Sequence, residues 1–176
     1  MKMYPLDQYD KNFALKVNLA LIATFLFLTK GFWISIIALK YKDKMDELIG
    51  LAFSNSESHA AAIIAAIPVF FVLFAWARRD PKAKSAVRSL WARGRLLLII
   101  SALANLLIAC YSSYSRPITH GNDIVLLVLS IVCTNYVIRS KRVSALFNSF
   151  PITDDESERR RKKKMEEKSK PNNSAD

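Results

Sequence analysis

The chain has 176 residues, a formal net charge of +11 and 52% hydrophobic residues, the latter gathered into apolar runs between charged joints. That segregation excludes an ordinary water-soluble domain, where the two kinds of residue are interspersed. The basic stretches flank apolar runs or fill a tail and carry no nucleic-acid-binding motif, so nucleic acid is excluded as the reason for the charge.

Residues 1–16 hold Tyr4, Leu6, Tyr9 and Phe13 among Lys, Asp and Asn, which suits a cytoplasmic segment lying at headgroup level. No small-x-small cleavage site follows, so this is not read as a secretory signal. The first span is expected at about 17–39. Twenty-three helical residues cover about 34 Å, enough for a hydrocarbon core of about 30 Å. Lys30 falls inside it. Either the helix ends near Trp33 and Lys30 snorkels to the interface, or it runs to Leu39 and the cation is buried and requires a partner.

The outer loop, residues 40–58, is nearly neutral, and Met45–Phe53 has the pattern of a short surface helix. The second span is expected at about 59–77. Ala61/Ala65 and Ala62/Ala66 are small-xxx-small pairs that let another helix approach, and Pro68 removes one backbone donor and predicts a kink. His59, at the outer edge, is expected to be solvated. The basic segment that follows carries Arg78, Arg79, Lys82, Lys84, Arg88, Arg93 and Arg95 against one acid, Asp80, with Trp76 and Trp91 placed as an inner aromatic belt.

The third span is expected at about 96–114, with Ser101, Asn105 and Ser112 close to one stripe. The fourth is expected at about 123–139, capped by Asn122 or Asp123 and continued along the inner surface by Val143–Phe150. Residues 151–176 form a disordered charged cytoplasmic tail. Its Arg159–Lys164 run is a candidate for anionic lipid headgroups.

Lys and Arg divide twenty-one to four between the proposed inner and outer sides, with Lys30 unassigned. Short loops dense in these residues stay cytoplasmic during insertion. The expected fold is therefore all-α: a polytopic membrane protein with four antiparallel transmembrane helices in a bundle over residues 17–150, and both termini in the cytoplasm. Counted from the inner helix ends, Asn105, Pro68 and Ser130 lie at similar depth, about 12–14 Å. Lys30, Asn105 and Ser130 are thus a candidate intramembrane polar site, with Asn105 facing the interior to meet Ser130 or the second helix.

No paired carboxylates lie within the spans, and HExxH, GxSxG, P-loop and GxGxxG motifs are absent, so no enzyme activity is expected. Cys110 and Cys133 sit in apolar runs without CxxC spacing or neighbouring ligands. They read as packing residues, and no metal or cofactor is expected.

The stretch Tyr4-Pro5-Leu6-Asp7-Gln8-Tyr9-Asp10-Lys11-Asn12, then Leu15-Lys16, and Gly31-Phe32-Trp33 after Lys30, resembles the YfeZ-like family of small, uncharacterised bacterial inner-membrane proteins. The resemblance covers residues 1 to about 150 and implies an inner-membrane location and a role for Lys30, but no activity. Two functions are expected in competition. One is a structural or accessory protein that associates, through the alanine-rich second helix, with itself or a larger membrane complex. The other is a small oligomeric conduit for a solute or ion, with a polar path near Lys30 and Asn105.

Overall fold

The computed structural model describes residues 15–41, 43, 49–50, 53, 56–115 and 121–151. The Tyr4–Asn12 stretch, most of the Met45–Phe53 surface helix, the Arg116–His120 turn, the Asn122 and Asp123 side chains and the Arg159–Lys164 tail lie outside the described residues. Within them the chain is all-helical, with no β-strand.

The first apolar run is not one continuous helix but two, α1 (Leu19–Leu28) and α2 (Lys30–Lys40), bent by 60° at Thr29. Asn18 caps α1, its side-chain oxygen accepting from Leu21 N–H at 3.1 Å. At the break, Thr29 Oγ1 donates to Phe25 C=O at 2.8 Å and accepts from Trp33 Nε1 at 3.0 Å. A hydroxyl bonding back to the carbonyl four residues earlier competes with the helical ladder and bends it.

The helix α3 (Ser56–Ala77) runs through Pro68 without ending. A short helix inside the basic segment, α4 (Ser85–Ala92), turns Val87, Leu90 and Trp91 toward the core. It leads into α5 (Gly94–Ser115). The last pair, α6 (Gly121–Arg139) and α7 (Lys141–Phe147), is also bent by 60°, at Ser140, whose hydroxyl caps α7 by accepting from Val143 N–H at 3.2 Å.

Two helices, α3 and α5, are long and apolar enough to cross a membrane, and each bent pair adds one more if it counts as a single span. The outward faces support that environment. Ile64, Ile67, Phe71 and Phe74 form one exposed stripe on α3, and Leu103 and Leu107 continue the apolar surface on α5. A surface so rich in large exposed apolar side chains suits lipid rather than water.

Inside, α5 lies between α3 and α6, while α1 and α2 pack across α3. Phe25, Leu28, Val69, Val72, Leu98 and Val137 fill the core. Ala62, Ala65 and Ala66 are buried within this one chain. Gly31 brings α2 so close that an added Cβ would lie 3.4 Å from Ala62 Cβ. The small-residue face of α3 is therefore taken up by the chain's own α2 and α5, since Ser101 Oγ donates to Ala65 C=O at 2.6 Å. Ala61 is only partly buried.

Candidate functional site

The break at Thr29 makes Lys30 the first residue of α2 and aims it across the bundle. Its ammonium donates to Asn105 Oδ1, midway along α5, at 3.0 Å. It also stands 4.4 Å from the centre of the Phe27 ring and 5.7 Å from that of Phe53. Both ring faces favour a cation. Asn105 is 2% exposed, and its amide nitrogen donates to Ser101 C=O at 3.1 Å. A buried polar cross-link of this kind is the arrangement expected between helices in lipid.

Lys30 and Asn105 border a cavity of about 30 Å³, whose wall also includes Phe53, Ser58, Ser113 and Ser130. Phe53, Ser58 and Ser113 come from the end of the bundle opposite the basic segment, while Asn105 and Ser130 lie midway along their helices. All three residues of the candidate polar site thus line one space. Asn105, however, meets Lys30 rather than Ser130, whose hydroxyl donates to Leu126 C=O of its own helix at 2.8 Å. The hydroxyl that does cross between α6 and α5 is Thr134, which donates to Ala102 C=O at 3.3 Å as well as to Ser130 C=O at 2.7 Å.

His59 is another departure. It is 8% exposed, not solvated; its Nε2 lies 3.0 Å from Ser35 Oγ and 3.1 Å from Gly31 C=O, and its ring packs on Phe53 at 4.9 Å. Its two polar partners sit on α2, and no local pattern around His59 announces them.

A second polar cluster holds the basic end. Arg79 donates to Leu15 C=O at 3.1 Å and to Ser149 C=O at 2.8 Å, and its guanidinium lies 4.5 Å from the centre of the Trp91 ring. Trp91 Nε1 donates to Ser149 C=O at 3.1 Å. Trp91 is 1% exposed, so it belongs to the core rather than to an interfacial belt, whereas Trp76 remains exposed and stacks on Phe25. Arg95 donates to Ile138 C=O at 2.7 Å, and Arg88 to Pro81 C=O at 2.5 Å. Lys82, Lys84 and Arg93 are exposed, as is Arg78 beside the Phe74 ring. Beyond their charge, then, Arg79 and Arg95 are built into the fold: Arg79 bonds carbonyls outside the helices, at Leu15 and Ser149, and Arg95 one in the last turn of α6.

Among the described residues, no three His, Cys, Asp or Glu side chains are grouped so as to hold a metal ion. Cys110 and Cys133 are free thiols. What the Lys30 site offers is one fixed cation, one amide and rotatable hydroxyls in a space for about two waters.

No curated protein and no solved structure matches the chain. A family model does match, over residues 4–149, a range that takes in every described helix and both polar clusters. The chain belongs to the family described as protein of unknown function (DUF2919).

Proposed function

We propose that this is a multi-pass protein of the bacterial inner membrane, of the YfeZ-like kind, with both termini in the cytoplasm, acting without catalysis as an accessory or structural component. Its charge asymmetry supports the orientation. The observation that carries the accessory role is the sealed basic half of the bundle. Beyond Asn105, the Ser101–Ala65 and Thr134–Ala102 hydrogen bonds and the buried Val69, Leu98 and Val137 fill the space between helices. The buried alanines of α3 serve packing within the chain, so association would use the exposed stripe Ile64, Ile67, Phe71 and Phe74. The Arg159–Lys164 run would add attraction to anionic headgroups.

A conduit is the second reading, and the cavity reaching Lys30 is the observation in its favour. Reconstitution separates the two. A photo-crosslinker at Phe71 in native membranes should trap a stoichiometric protein partner or a second copy, and proteoliposomes should pass no ion in a Lys30-dependent way. Flux that is lost on Lys30→Leu, with no crosslink at Phe71, would replace the accessory reading with the conduit.

A further inference from the structure

We propose that the cavity at Lys30 is a binding site for a small monovalent anion of the halide class, entered from the end of the bundle opposite the basic segment. The inference goes beyond the accessory role and holds whether or not the chain has a partner. It starts from charge compensation. An ammonium withdrawn from water into a helical bundle must be paired, solvated or neutralised. The described neighbours of Lys30 carry no formal charge: the Asn105 amide, the Phe27 and Phe53 rings, the serine hydroxyls and the free Cys133 thiol. The described acids at that end, Asp43 and Glu57, are exposed, and among the described residues none forms an ion pair with Lys30. Of the other titratable groups at this end, Cys133 is a free thiol and His59 is occupied by Ser35 and Gly31.

Losing the proton would also remove the charge. Yet the Asn105 carbonyl accepts from the ammonium, and the two aromatic faces attract a cation, so three contacts favour the charged form. An anion in the cavity completes the set. Of the three ammonium N–H groups, Asn105 takes one and two remain for a ligand. The Ser113 and Ser130 hydroxyls now donate to Ala109 C=O and Leu126 C=O of their own helices. A hydroxyl rotates freely about its C–O bond, so either can turn its proton to the ligand.

The space is matched to a small ion. A volume of about 30 Å³ has room for one halide ion or about two waters beside Lys30.

The test is chlorine-35 NMR on the full chain in a non-ionic detergent. Wild type should give saturable excess broadening of the chloride line that bromide displaces. Lys30→Met should reduce it at least tenfold, and Arg88→Gln, an exposed cation at the other end, should leave it unchanged. Should Lys30→Met fail to fold, Ser113→Leu fills the cavity without touching the cation and should abolish the broadening with the helical circular dichroism intact. Wild type no broader than Lys30→Met, or broadening that follows Arg88 instead, would overturn the proposal. So would persistence of the signal in Ser113→Leu.

Discussion

Two glycines in close contacts should respond to the same substitution with opposite signs. Gly94 opens α5 under the Phe147 ring: an added Cβ would lie 2.4 Å from one ring carbon and 2.7 Å from the next. Restoring ordinary contact at 3.4 Å requires the ring to retreat by about 1 Å. The ring has little freedom, since Phe147 is 3% exposed and packs on Trp91 at a centroid distance of 4.7 Å. Overpacking of this kind costs about 1–3 kcal/mol. The helical preference of Ala over Gly returns up to about 1 kcal/mol, and less at a first helical position. Gly94→Ala should therefore destabilise by about 1–2 kcal/mol. At Gly31 the nearest atoms to an added Cβ are at 3.4 Å, an ordinary contact, and the same helical gain makes Gly31→Ala neutral or slightly stabilising. Reversible unfolding in mixed micelles of increasing SDS fraction measures both. A double-mutant cycle with Phe147→Leu isolates the clash, because Gly94→Ala should cost almost nothing once the ring is gone. An equal cost of Gly94→Ala with and without the ring would refute the reasoning.

Arg79→Ala strips donors from the Leu15 and Ser149 carbonyls and uncovers Trp91, and should cost about 2–3 kcal/mol in the same assay. Arg79→Lys should recover less than half, since one ammonium cannot span both carbonyls; full recovery would reduce Arg79 to a simple charge. Ser101→Ala and Thr134→Val each remove a hydroxyl that bridges two helices, and should each cost about 0.6–2 kcal/mol by the same SDS titration. A phosphatase reporter fused after Ala86 should be inactive and a cytoplasmic reporter there active, and the reverse pattern would invert the membrane orientation.

The positions of the helices were readable because lipid imposes length and apolarity on every crossing segment, and α3 and α5 begin only two or three residues from where hydropathy places them. Lys30 and Asn105 stood out for the same reason: an ammonium and an amide inside apolar runs are expensive enough to demand an explanation. That they bond to each other could not be read, because the bond depends on the 60° break at Thr29, and a threonine in an apolar run signals nothing until its hydroxyl is seen to turn back on Phe25. The Arg79 cluster was hidden differently. Its acceptors are backbone carbonyls, which every residue possesses, so no side-chain pattern marks Leu15 or Ser149 as partners. Arginines that look sufficient as topology signals conceal any second task. For Trp91 the clue was present: Val87, Leu90 and Trp91 share one face at helical spacing within the basic segment.

The Arg79 cluster also sets an order of events during synthesis. Leu15 leaves the ribosome early and Arg79 roughly midway, but the carbonyl and hydroxyl of Ser149 emerge only after the final hydrophobic segment has been made. Until then the guanidinium lacks its Ser149 acceptors, and the segment before α1 is not tied through it to the segment after α7. Synthesis of Ser149, with the charged tail still to come, supplies the acceptor through which Arg79 joins the segment before α1, the loop after α3 and the segment after α7. A chain cut short before Ser149 would lack that acceptor, and its three segments would not be joined through Arg79.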